Sequence, residues 1–134
     1  MILNISEAAN LGIHALVYLA ARSGEEPVTT ASIAAAYGVS EAHLSKVFQR
    51  LSKAGLVKSV RGPHGGFKLS RAPGKITLRE IYEALDGPIG RNHCLLNKPK
   101  CSLERCVLGD LLTDVHQRVL AHLTGTTLAD VAAL

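Results

Sequence analysis

Cys94, Cys101 and Cys106 are all the cysteines of this 134-residue chain, and they fall within thirteen residues. Three thiolates so close together are soft ligands, suited to zinc or to an iron–sulfur cluster. Zinc sites favour tight paired knuckles; intervals of six and four residues do not give the usual pair. A cluster, larger than a single ion, accepts looser loops. Three thiolates leave one coordination position to fill, and His93, His14, Asn10, Glu104, Asp110 or a partner chain could fill it. The plain alternative is three ordinary thiols with one or two buried. Their clustering in a polar segment that carries Pro99 argues against it. His93 beside Cys94 could suggest a base and a nucleophile, but sequence neighbours on irregular backbone seldom align for proton transfer.

A second chemistry lies upstream. Between Ser40 and Lys75 there are eight Lys or Arg and one acidic residue, while the rest of the chain is near neutral or acidic and the net charge is +4. A basic stripe of this kind is the electrostatic footprint of DNA binding. It coincides with a helix, a turn, a second helix and a glycine-cornered hairpin reading Val60-Arg61-Gly62-Pro63-His64-Gly65-Gly66-Phe67. The glycines do not form a dinucleotide or P-loop motif, so a nucleotide cradle is excluded. The plain alternatives are a solvated helix face and glycines that serve turn geometry alone. The wing together with the charge segregation favours DNA.

The elements that must position these residues can be read in order. Ser6 caps a helix to about Ala21, with Ala9, Ile13, Leu16, Val17 and Ala20 on one face. Gly24 and Pro27 end it. Thr30 caps a short helix, Ala31 to Tyr37, stopped by Gly38. Ser40 caps a third helix, Glu41 to Ala54, with Leu44, Val47, Phe48 and Leu51 inward. Residues 56–61 and 66–70 alternate as two strands. Thr77 and Glu80 make a capping box that opens a helix to about Asp86. Asn92 to Arg105 reads as a loop. A long amphipathic helix is expected from about Leu103 to Leu123, striped by Val107, Leu108, Leu111, Leu112, Val115, Val119 and Leu123, and a short one follows Thr127. The fold class is mainly α with a small β wing. The expected organisation is a winged helix–turn–helix domain over 1–86, a cysteine-containing cluster-binding loop over 87–106, and a dimerisation helix with a short terminal helix over 107–134.

In a helix–turn–helix the second helix enters the major groove with its N-terminal residues at base edges. Here those are Ser40, Glu41, Ala42, His43, Ser45 and Lys46; His43 is as readily a plain surface residue. Arg61, at the base of the wing, suits a minor groove or a phosphate. Lys46, Arg50, Lys53, Lys58 and Lys68 suit phosphates, which position without specifying. Aromatic content of 4% against 47% hydrophobic leaves Ala, Leu and Val to fill the core. No run reaches the ~18 apolar residues of a membrane span, and the first residues, Met-Ile-Leu-Asn-Ile-Ser-Glu, lack a signal-peptide pattern. The expectation is a cytoplasmic protein in which clustered thiols act as ligands or redox groups.

With these parts in place the chain resembles the IscR/NsrR-type family of iron–sulfur transcription regulators, from the N-terminus to about Ala132. The most specific motifs are residues 56–67 and the three cysteines, spaced twelve residues from first to last. The resemblance implies a homodimer in which the Val107–Leu123 helices cross and support the partner's DNA-binding half. It implies a 2Fe-2S or 4Fe-4S cluster on Cys94, Cys101 and Cys106. It also implies base or groove contacts near Ser40, Ala42, His43, Ser45 and Lys46 and from Arg61, Gly62 and Pro63, with His64 at the same tip. The chain departs from the family in places. IscR-like members place a histidine where this chain has Gly109, and NsrR-like members place an acidic residue of the other subunit where it has Asn10. A further type uses a histidine one turn later, where His14 falls. The cysteine intervals also depart from the family's even spacing. Imidazole is a good iron ligand and a carboxamide a poor one, so His14 of the partner chain is the expected fourth ligand.

The leading reading is a dimeric repressor on a pseudo-palindromic operator in double-stranded DNA, with nitric oxide, redox state or iron supply as its signal. The alternative is a clusterless regulator controlled by cysteine oxidation or a protein partner. A thiol enzyme would lack a phosphate loop, a carboxylate pair and a nucleophile on a defined turn. A metal-stabilised interaction module would leave the basic wing unexplained.

Overall fold

The computed structural model describes residues 4–22, 26–90 and 105–133. Helix α1 spans Glu7–Ala21, and the Ser6 hydroxyl accepts the Ala9 N–H as its cap. The Ser6 N–H and hydroxyl both donate to the Asp86 carboxylate, which ties the start of α1 to the end of a later helix. Helix α2 spans Thr30–Tyr37 and is capped by Thr29, one residue earlier than the Thr30 expected from sequence. The reason lies in Val28, which pairs with the wing and holds the chain extended through Thr29. Gly38, with φ 64°, supplies the left-handed turn into Ser40 and α3, Glu41–Lys53.

Strands β1, Val57–Val60, and β2, Gly66–Leu69, pair antiparallel with Val57 opposite Leu69, Lys58 opposite Lys68, Ser59 opposite Phe67 and Val60 opposite Gly66. They are one or two residues shorter than the alternation suggests. A 3-10 turn, Pro73–Lys75, leads to α4, Leu78–Asp86, whose Thr77–Glu80 capping box forms as expected. Helix α5 is Leu111–Gly125, not a helix from about Leu103. Gly109 adopts φ 60° and its N–H bonds the Cys106 carbonyl at 2.9 Å, so the last residues before α5 turn instead of coiling. Helix α6, Leu128–Ala132, carries its own Thr127–Asp130 capping box. The Leu128 N–H reaches the Ile76 carbonyl, and the Leu78 N–H reaches that of Thr126, each at 2.9 Å.

These ties gather one core: Leu16 and Leu19 of α1, Ile33 of α2, Leu44, Phe48 and Leu51 of α3, Ile81 of α4, and Leu128 of α6 are all within 1% of full burial. No polar or charged side chain is buried among the described residues. Helices α1 and α4 pack so closely that a Cβ on Gly12 would sit 2.3 Å from the Leu85 side chain. Of the expected α5 stripe, Leu112 and Leu123 are buried, whereas Val107 is 80% and Leu111 53% exposed. Among the described residues no helix is long and apolar enough to cross a membrane.

Candidate nucleic-acid interface and cysteine segment

The inward face of α3 is consumed by Leu44, Val47, Phe48 and Leu51, so its other face must point to solvent. That face carries Ser40, Glu41, Ala42 and Lys46, all exposed, with His43 and Ser45 half-buried at the flank. Ser40 accepts the His43 N–H at 3.3 Å through its oxygen, which leaves its own O–H free to donate. The wing tip, Arg61, Gly62, Pro63 and His64, is exposed. Its turn is closed by the Gly65 N–H on the Gly62 carbonyl at 2.9 Å.

The cations divide into two groups. Arg71 pairs with Glu80 at 3.0 Å and Arg79 with Glu83 at 2.7 Å. Glu80 is pushed up by desolvation, but the Thr77 and Arg71 hydrogen bonds outweigh this and hold its carboxyl below the usual range. Lys46, Lys53, Lys58, Arg61 and Lys68 have no ion pair among the described residues. Lys58 and Lys68 are direct partners across the β1–β2 ladder. Like charges directly opposite are unfavourable in a sheet, and this pair concentrates positive charge on the wing. Arg50, expected as a phosphate contact, is exposed and donates from one guanidinium nitrogen to the Leu85 carbonyl of α4.

The candidate cluster ligands are less gathered. Cys94 and Cys101, with His93 and Glu104, lie outside the described residues. Cys106 is a free, exposed thiol four residues before Asp110, the residue that precedes α5. Gly109, in the left-handed turn between them, carries no donor. His14 is exposed on α1, where its Nδ1 lies 2.8 Å from the Asn10 carbonyl. A carbonyl only accepts, so Nδ1 is the donor of this contact, and in the neutral ring Nε2 is the nitrogen with the lone pair. Glu7, Asn10, Leu11, His14, Tyr37 and Val39 line a shallow groove of about 260 Å³.

Tyr37 was not singled out from sequence. It stands edge-on to both His14 and Tyr18, at 6.0 and 5.9 Å, and its hydroxyl donates to the His14 carbonyl at 3.0 Å. Burial first, then the neighbouring Tyr18, raises its phenol above the ordinary value, with Arg22 opposing. The Arg22 guanidinium lies 3.4 Å over the Tyr18 ring. Among the described residues no group of three His, Cys, Asp or Glu could hold a metal ion.

Residues 5–134 match the profile of Rrf2, described as an iron-dependent transcriptional regulator. The chain belongs to the Rrf2 family. It is 31% identical over 129 residues to the HTH-type transcriptional regulator IscR of Xenorhabdus nematophila, covering 96% of this chain and 79% of that one. It is 34% identical over 131 residues to the HTH-type transcriptional regulator CymR of Bacillus subtilis, covering 98% and 91%. The solved structure of that CymR, the global cysteine regulator of B. subtilis, superposes with a TM-score of 0.82 over 98% of this chain and 97% of that one. The structure of T. potens IscR, 32% identical, gives 0.74 over 96% and 85%. The winged helix fold and the family resemblance stand, and this Rrf2 member is a transcriptional regulator rather than an enzyme.

Proposed function

We propose that this chain is a homodimeric DNA-binding repressor that reads a pseudo-palindromic operator with the exposed face of α3 in the major groove and the Arg61–His64 tip at the minor groove. The observation that carries this reading is the set of cations around α3 and the wing that have no ion pair among the described residues, above all the opposed Lys58 and Lys68. Ser40, Ala42, His43, Ser45 and Lys46 meet base edges, and Lys46, Lys53, Lys58 and Lys68 meet phosphates. The exposed Val107, Leu108 and Leu111 are an apolar surface that a second copy covers.

Cys94, Cys101 and Cys106 hold an iron–sulfur cluster in this reading, with His14 of the partner chain as fourth ligand. The donor set fits: three thiols supply soft ligands, and the Asn10 carbonyl fixes the His14 tautomer that leaves Nε2 free, as in metal-binding imidazoles. When bound, the cluster supplies a redox- and nitric-oxide-sensitive group whose state sets DNA affinity. Cys106 offers its thiol from exposed backbone, and Gly109 contributes nothing.

A second reading is supported by the likeness to CymR, a global cysteine regulator. The chain is also similar to Staphylococcus aureus CymR solved in an oxidised form, 26% identical with a TM-score of 0.79. In this second reading the cysteines of this chain act without a cluster, by oxidation or through a protein partner. The visible spectrum of protein purified without oxygen separates the two. Brown protein with charge-transfer bands is expected, with His14→Ala shifting the bands and speeding cluster loss while Asn10→Ala does not. Colourless protein under those conditions selects the second reading. An unchanged His14→Ala spectrum removes His14 from the ligand set.

A further inference from the structure

The wing is two strands of four residues, and a lone hairpin of that size is marginal in water. Something must fix its aim. Phe67 is bonded on three sides. Its ring stacks on Phe48 of α3, centroids 4.5 Å apart and planes 12° from parallel, and Phe48 is fully buried. Its N–H donates to the Val28 carbonyl and its carbonyl accepts the Val28 N–H, each at 2.9 Å, immediately before the Thr29 cap of α2. In the ladder it faces Ser59 of β1. Its neighbour Gly66 makes the bridge possible: at φ 149° it has no Cβ, and one would lie 2.3 Å from the Val28 oxygen. The ladder ends at Val60 opposite Gly66, so Arg61 is the first residue past it.

Building on the DNA-binding reading above, we propose that Phe67 is the positioning residue that locks the wing to both helices of the helix–turn–helix, so that Arg61 and α3 meet DNA at a fixed separation. The face-to-face ring stack sets the distance from α3, and the backbone bridge sets the distance from α2. Phe67 itself touches no DNA. Its contribution is realised only through Arg61 and the tip. A residue that merely filled the core would lower stability without changing what Arg61 is worth.

That difference is measurable by a double-mutant cycle on the full chain. The probes are the duplex that the wild-type protein selects most tightly from a randomised library and an unrelated duplex of equal length, at one salt concentration. Phe67→Leu keeps apolar bulk but loses the stack. It is expected to weaken the selected duplex roughly tenfold, the scale of one lost base or groove contact. The unrelated duplex should change by less than about twofold, the usual scatter between independent sites. Adding Arg61→Ala should cost nothing further, whereas adding Lys53→Ala should multiply the loss. Gly66→Ala, which leaves the ring in place and pushes β2 off Val28, repeats the test if Phe67→Leu does not fold. Losses for Phe67→Leu and Arg61→Ala that multiply in the double variant overturn the linkage while leaving the wing a DNA contact. No loss for Arg61→Ala alone removes Arg61 from the DNA interface, and the proposal with it.

Discussion

The basic region of α3 and the wing and the described residues around Cys106 are built on opposite terms. Around α3 and the wing, each chemical residue is placed by something rigid behind it: Ser40 by its cap, the tip by a closed turn, β2 by Phe48 and Val28. Around Cys106, among the described residues, the chain is held by backbone turns alone, the Gly109 N–H on the Cys106 carbonyl and the Leu111 N–H on that of Leu108, with no buried side chain behind them. The residues from Arg105 to Leu111 are all exposed, and three large apolar ones lie open in the single chain. Groove recognition needs side chains fixed before contact. A sensing site can leave its ligands to be drawn together by what they bind. The difference teaches that α3 and the wing are preformed within one chain, whereas the described residues around Cys106 present one exposed thiol beside exposed apolar side chains.

The strongest way to break this comparison is to remove a thiol. Cys94→Ala, Cys101→Ala and Cys106→Ala should each abolish the cluster, because no thiol stands in reserve. For the exposed Cys106, thermal stability of the apo chain should stay within about 0.5 kcal/mol of the parent, as for surface substitutions generally. Anaerobic reconstitution followed by absorbance and a thermal melt checks both. A single variant that keeps the parental spectrum is not missing a ligand. The mirror experiment is Phe48→Ala. It leaves the thiols untouched but removes a fully buried ring, at an expected cost of about 3–5 kcal/mol in denaturant unfolding. An apo protein that tolerates it with a loss under about 1 kcal/mol would show that α3 is not held from behind.

Specificity sharpens the contrast at a smaller scale. Arg61→Ala should weaken the selected operator by about 1–3 kcal/mol and random DNA much less. Lys53→Ala should weaken both alike and lower the salt slope by about one unit. Titrations across a range of salt concentrations measure each. Equal losses on the two duplexes for Arg61→Ala would make it a phosphate contact like Lys53.

How much of this was legible beforehand follows the same divide. Ser40, Gly38, the Thr77–Glu80 box and the inward set Leu44, Val47, Phe48 and Leu51 are local or periodic signals, and the structure places them as read. The Val28–Phe67 bridge was not legible, because a one-residue strand has no alternation to detect. That bridge also moved the α2 cap from Thr30 to Thr29. Arg50 and Tyr37 show contacts of a complementary kind. Composition marks one as a cation and the other as an aromatic, but only the packing of α3 on α4 and of α2 on α1 sends them to the Leu85 and His14 carbonyls. Val107 and Leu108 continue the apolar period of α5 in the sequence, but the left-handed backbone of Gly109 interrupts the helix between them and Leu111.

The smallest expected effect is the most diagnostic, because it has two signs. Lys58 and Lys68 sit directly opposite one another on the wing, with no carboxylate partner for either among the described residues. Removing one charge relieves a repulsion in the free protein, worth roughly 0.2–1 kcal/mol for a cross-strand pair. Lys58→Gln keeps a polar side chain, one atom shorter, while removing the charge, and should therefore raise the stability of the DNA-free protein by a few tenths of a kcal/mol. The same change removes a phosphate contact, so binding should weaken on every sequence and the salt slope should fall by about one unit. Stability gained and affinity lost from one substitution is the signature of a residue kept for its ligand rather than for the fold. A variant that is less stable than the parent, or whose salt slope does not change, would place Lys58 among the structural residues and leave the wing without its electrostatic concession to DNA.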